Sequence, residues 1–216
     1  VNGAYIEVPA GGRTWRLHRP ADLEALWNTM GTDEFGDDER LPYWVELWPA
    51  SLGLAALLQE NAAAIQGKCC LDLGCGLGLT ALVGASHGAR VLGMDYEPPA
   101  LHYAAMNARE NSISGVAWVA GDWRYPPVVQ HGFDVLWGGD IMYEARFVGP
   151  VFRFLEHALA PGGWAWVAEP GRNIFPAFQQ ALAHGGWQAG RVAKHTVPAM
   201  HGKGSVGVDL WRISRK

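Results

Sequence analysis

Residues 72–78, Asp72-Leu73-Gly74-Cys75-Gly76-Leu77-Gly78, decide how this chain is read. The run leading into them, Lys68 to Leu73, is short and apolar, suited to a strand buried on both faces of a sheet, and the glycines break it. Leu79 to His87 then reads as a helix, with Gly88 at its C-terminal end. Strand, glycine-rich turn and helix in that order open a βαβ unit.

Downstream the alternation repeats. Arg90 to Met94 is a strand ending at Asp95, and Pro98-Pro99 opens a helix with Leu101, Ala104, Ala105 and Ala108 on its buried face. Val116 to Ala120 is a strand before Asp122, and Phe133 to Trp137 is another, ended by Gly138-Gly139-Asp140. Val151, Phe154, Leu155, Ala158 and Leu159 mark an amphipathic helix that Pro161-Gly162-Gly163 stops. Trp164 to Ala168 is the next strand, Phe175 to Ala183 is helical, and residues 187–194 and 205–213 make a final pair. The link between those last two is too short for a helical crossover, so they run antiparallel. The expected fold is α/β: a doubly wound, seven-stranded, mostly parallel sheet with an antiparallel C-terminal strand.

Upstream, Ser51 is the expected N-cap of a helix over 52–65. Residues 4–8 and 13–18 flank Pro9-Ala10-Gly11-Gly12 as a hairpin, a short helix follows over 21–30, and Leu41 to Pro49 is aromatic-rich. Residues 1–49 are read as a small hairpin-helix appendage and 50–216 as the main domain.

The composition narrows the function. Charged residues are 18% of 216, net charge is −4, and there are 11 Trp. No basic field is present for nonspecific nucleic-acid or anionic-membrane binding. Segment 31–40 holds five acids and one base, leaving the rest of the chain balanced. It reads as a solvated loop or, more sharply, a docking edge for a basic partner. Cys69, Cys70 and Cys75 cannot build a disulfide framework and point to a reducing compartment; with no leader and no long apolar stretch, the expected location is cytoplasmic. No metal-ligand spacing appears.

Ligands of a doubly wound sheet sit beyond the carboxyl ends of its strands, where Asp72, Asp95 and Asp122 fall here. Gly76-x-Gly78-x-x-Ala81 formally satisfies a dinucleotide fingerprint, but two carboxylates and no basic residue in the loop oppose a pyrophosphate. S-adenosylmethionine has no phosphate and carries an ammonium and a sulfonium. In that reading Gly74, Gly76 and Gly78 let the backbone approach and Asp72 favours the cationic end. Asp95, with Tyr96 beside it, takes the ribose hydroxyls, and Asp122 accepts from the adenine amino group with Trp123 on the ring.

The Asp72-x-Gly74-x-Gly76-x-Gly78 motif, with these acids, resembles the seven-strand S-adenosylmethionine-dependent methyltransferases over about residues 50–216. The resemblance implies a Rossmann-like class I methyltransferase fold. Trp48-Pro49-Ala50-Ser51, Gly139-Asp140-Ile141-Met142-Tyr143 and Glu169-Pro170-Gly171-Arg172 resemble the Asp-x-x-Tyr protein lysine methyltransferases. Within that family the pattern is most similar to the branch acting on the electron transfer flavoprotein β subunit and its bacterial relatives. This implies an exposed lysine of a protein as acceptor, that β subunit being one candidate, with no nucleic-acid or membrane partner. It also implies Trp48 near the cofactor, and Asp140 and Tyr143 at the methyl-transfer site, Asp140 against the cofactor as well. Glu169 departs from the family's Asp. Ile141 and Met142 stand where glutamine and adenine methyltransferases carry two prolines, which argues against those activities. Two other classes stay open: a small-molecule methyltransferase with an aromatic pocket, and a cofactor-binding protein without catalysis.

Overall fold

A computed structural model describes residues 3–21, 42–199 and 204–216. The helix expected over 21–30, beyond its first residue, and the acidic run 31–40 lie outside the described residues. The main sheet contains β3 (Cys69–Leu73), β4 (Arg90–Asp95), β5 (Val116–Ala120), β6 (Phe133–Gly139), β7 (Leu159–Glu169), β8 (Trp187–Pro198) and β9 (Ser205–Arg215). Their spatial order is β5-β4-β3-β6-β7-β9-β8. The first five are mutually parallel, while β9 inserts antiparallel between β7 and β8, as expected for the fold class.

Alternation along the strands sends side chains to two cores. On one face Cys70, Val91, Val135 and Trp137 pack with α1 (Pro49–Glu60) and α3 (Leu79–Ser86); α2 (Ala62–Ile65) adds Ile65. On the other, Leu71, Leu73 and Leu136 pack with α5 (Val148–Ala158) and α6 (Phe175–His184). Among the described residues no helix is long and apolar enough to cross a membrane.

Three local expectations are corrected. Helix α1 starts at Pro49 with Trp48 as N-cap, not at Ser51, because proline's fixed φ and missing N–H suit the first helical position. Strand β7 starts at Leu159, and Pro161-Gly162-Gly163 sits in an irregularity of its pairing with β6 instead of before the strand. The buried face of α4 (Pro98–Glu110) is Ala100, Tyr103, Ala104, Asn107 and Ala108, with Leu101 and Ala105 only half-buried.

The N-terminal hairpin accounts for the rotation of that face. Strands β1 (Gly3–Ala10) and β2 (Arg13–Pro20) pair antiparallel, and Trp15 and Leu17 of β2 are fully buried in the same core as α1 and α3. The free edge of β2 is completed by side chains of α4. Asn107 accepts from the His18 amide at 2.6 Å and donates to the carbonyls of His18 and Leu77. One turn on, Asn111 accepts from the Arg16 amide at 3.0 Å and donates to the Arg16 carbonyl at 2.8 Å. Two asparagines four residues apart thus take the place of a neighbouring strand; leaving any one of these buried groups unpaired costs about 1–3 kcal/mol. In packing terms the hairpin belongs to the core and anchors α4, which starts just after Asp95.

Candidate active site

A cavity of about 520 Å³ opens at the carboxyl ends of the central strands. Its floor is the loop after β3, with Leu73, Gly74, Cys75 and Gly76 among the lining residues; Asp95 and Tyr96 follow from β4, Asp122 and Trp123 from beyond β5, and Asp140 from the end of β6. The segment before α1 forms another wall through Tyr43, Trp44 and Trp48.

Gly74 has φ +70, and a Cβ there would come within 3.3 Å of Ile141 Cγ2, so only glycine leaves the floor open. Asp95 Oδ2 accepts from the Gly76 amide at 2.8 Å and Oδ1 from the Glu97 amide at 3.0 Å. These bonds use part of the four lone-pair positions of a carboxylate and leave acceptors for a pair of hydroxyls. Tyr96 is exposed at the edge. Asp122 is held by Arg124, whose amide reaches Oδ1 at 2.7 Å and whose Nε reaches Oδ2 at 2.8 Å, while Trp123 stands edge-on to Phe147 at 4.9 Å.

Two expected contacts are not at the cavity. Along β3, Leu73 faces the cavity and Asp72 the opposite side, where Thr80 of α3 donates to its Oδ2 at 2.6 Å. Gly78 is outside the lining too: it is the N-cap of α3, and a Cβ on it would meet Ala104 at 2.9 Å, so its part is close helix packing. Asp72 therefore stands behind the loop, with Thr80 on Oδ2, and is not among the residues that line the cavity.

Burial pushes the Asp72 carboxyl up to about 7, against the Thr80 hydrogen bond, and that of Asp95 up to about 6, against its backbone amide bonds. In the unfolded chain both ionise near about pH 4. The fold retains their protons to higher pH, so their contribution is complete below the unfolded value and declines as pH rises through the folded ones. The cofactor-free protein is expected to melt at a higher temperature near about pH 5.5 than near about pH 8 through these groups. Asp72→Asn should flatten that difference in thermal unfolding followed by circular dichroism.

Asp140 is the most constrained residue of the site. Its φ is +55, a left-handed conformation that Asp tolerates better than most side chains, and its carboxylate is nearly buried. Arg172 grips it with a fork: Nε donates to Oδ1 at 2.9 Å and Nη2 to Oδ2 at 2.6 Å. Glu169, at the end of β7, accepts the Arg172 amide and so closes the turn that delivers this arginine. Arg172 also lies over the Trp48 ring, 5.8 Å from its centroid.

Aromatic rings line the mouth in an unbroken edge-to-face row: Trp48 to Tyr43 at 5.8 Å, Tyr43 to Tyr143 at 5.5 Å, Tyr143 to Phe147 at 5.0 Å, then Trp123. Trp48 is fixed further by its indole N–H on the Tyr43 carbonyl at 2.8 Å. Burial, reinforced by the Glu144 carboxylate, holds the Tyr143 hydroxyl well above its ordinary pKa, so it stays protonated and can donate. Tyr43, Phe147 and Arg172 were not among the expected site residues. Aromatic density at 41–49 hinted at the first, Arg172 closes the quoted segment Glu169-Pro170-Gly171-Arg172 without a role having been read for it, and no local pattern pointed to Phe147.

These groups fit S-adenosylmethionine. The floor is open because of Gly74, and Asp95 keeps acceptors for a ribose. Each arginine at the cavity is ion-paired, Arg124 with Asp122, Arg146 with Glu144 and Arg172 with Asp140, which disfavours a pyrophosphate.

Comparison with known proteins agrees. Residues 70–163 match the model of a methyltransferase domain family. The chain is 28% identical over 159 residues to the electron transfer flavoprotein beta subunit lysine methyltransferase of Rattus norvegicus, covering 73% of this chain and 60% of that protein. It is 32% identical over 130 residues to the protein N-lysine methyltransferase METTL21A of Danio rerio, covering 56% and 58%. The chain thus spans 60% of the rat relative's length. In structure it resembles the T. thermophilus 16S rRNA N2 G1207 methyltransferase in complex with AdoMet and guanosine, with a TM-score of 0.63, 17% identity, and coverage of 99% of this chain and 51% of that one. At that identity the likeness speaks to the fold.

Proposed function

We propose that this chain, an S-adenosylmethionine-dependent methyltransferase related to the protein lysine methyltransferases, methylates lysine side chains of a protein. The observation that carries the reading is the corner formed by Asp140 and Tyr143, with Asp140 nearly buried and ion-paired to Arg172 and the aromatic row as its wall. Six acids, Glu46, Asp95, Glu97, Asp122, Asp140 and Glu144, face three arginines around the cavity, and Arg19 pairs with Glu46 from outside it; the remaining acidic excess favours approach of a basic segment. Aromatic faces tolerate the methylated, cationic products. The electron transfer flavoprotein β subunit, the substrate in the rat relative's name, is a first candidate acceptor.

S-adenosylmethionine supplies an electrophilic methyl on a sulfonium centre. Gly74, Gly76 and Asp95 would hold it, with Tyr96, Asp122, Trp123 and Trp48 along its flanks. A lysine amine, with a reference pKa of about 10.4, must attack in its neutral form, and desolvation in the cavity favours that form. Asp140 orients the amine through the lone pairs that Arg172 does not use, and Tyr143 donates a hydrogen bond across the channel. With Asp140 ion-paired and Tyr143 protonated, the chain's contribution is alignment and exclusion of water in place of strong base catalysis.

Incubation of the purified protein with methyl-tritiated cofactor and a protein extract, and separately with the purified β subunit, tests this. The expected product is labelled protein that yields methyl-lysine on hydrolysis. Label confined to small molecules would favour the aromatic-pocket alternative, and cofactor binding without label in any fraction would leave a non-catalytic role.

A further inference from the structure

We infer that Arg172 is a positioning residue that neutralises Asp140, so that the acceptor amine meets an ion pair instead of a bare carboxylate; the inference rests on an amine being the acceptor. The nitrogens Nε and Nη2 take both Asp140 oxygens, and three restraints hold the guanidinium there. The Glu169 carboxylate fixes the turn at the Arg172 amide, the Trp48 ring lies beside the guanidinium, and Asp140 itself is locked in a left-handed backbone conformation.

The consequence is electrostatic. A lone carboxylate in a water-poor cavity binds an amine best as ammonium, which has no lone pair to attack a methyl group. Forked by Arg172, the same carboxylate keeps its hydrogen-bonding direction while its charge is balanced, and the neutral amine is no longer penalised relative to the cation. The other carboxylate close by, Glu169, is engaged by the Arg172 amide and has its pKa raised, chiefly by burial, so its charge is itself disfavoured.

The test uses no acceptor. Sinefungin is a cofactor analogue with a primary amine where S-adenosylmethionine carries its methyl, and S-adenosylhomocysteine has nothing there. The ratio of their dissociation constants, measured by calorimetry on one protein, reports how strongly the site prefers an ammonium. In Arg172→Met the preference for sinefungin is expected to rise at least tenfold over the unaltered protein. Arg172→Lys, which keeps the charge, should restore it largely, and the double variant Arg172→Met with Asp140→Asn should abolish the gain. A variant that is merely misfolded weakens both ligands alike. An unchanged ratio in Arg172→Met, or a gain that survives loss of the Asp140 charge, overturns the inference. Since no acceptor is present, an unchanged ratio leaves the lysine reading standing, and a failed lysine assay leaves the ratio interpretable.

Discussion

Asp140→Asn is expected to lower turnover by about a hundredfold or more, within the range for losing a positioned polar catalytic group, while changing affinity for S-adenosylhomocysteine by less than about tenfold. Asparagine keeps the side-chain shape and tolerates the left-handed backbone at φ +55, so the β6 end should stay in place. What changes is the chemistry of the carboxamide. One of the two acceptors gripped by Arg172, at 2.9 and 2.6 Å, becomes a donor, the fork opens, and the acceptor amine loses the oxygen that directs it. S-adenosylhomocysteine lacks the transferring methyl, so its affinity reads cofactor contacts apart from the transfer step. Steady-state rates with the labelled protein acceptor, set beside calorimetry, separate the two. Loss of binding with the rate constant at saturation preserved would remove Asp140 from the transfer step.

The opposite split is expected at the neighbouring strand end. Asp95→Ala should weaken S-adenosylmethionine and S-adenosylhomocysteine equally, by about a hundredfold, because hydrogen bonds to a charged group contribute about 1.5–3 kcal/mol each. Two effects combine. The acceptors offered to the ribose disappear, and the Gly76 amide, which Asp95 holds at 2.8 Å, is released, so the loop loses the restraint that shapes the floor. Protein saturated with cofactor should recover much of its rate, since Asp95 is not at the transfer corner. Equal affinity in variant and parent would move the ribose site elsewhere on the cavity wall.

The sheet was legible because buried parallel strands are continuous apolar runs and their ends are punctuated by glycine and aspartate, as at Leu71 to Gly74 and Val135 to Asp140. Asp95, Asp122 and Asp140 could be singled out for the same reason, since topology puts every such end at one edge; Tyr143 entered through the family resemblance. Asp72 is outside the cavity lining, since a motif specifies residue types in order, whereas the pleat decides which side each faces, and Asp72 lies one position before the end of β3. Gly78 is likewise outside the lining, its missing side chain making room for Ala104.

Sequence by itself determined the α/β architecture, the cofactor class that the loop chemistry allows and the identity of the acidic strand ends, because these follow from local periodicity and residue chemistry. Tertiary structure alone decided that Arg172 meets Asp140, that Tyr43 and Phe147 complete the aromatic row, and that two asparagines of α4 complete the edge of the hairpin. Arg172 and Asp140 are 32 positions apart, and the asparagines lie 89 and 95 positions from the hairpin amides they meet. Their geometry is set by which strands adjoin and how each turn closes, and no short window of sequence carries that information.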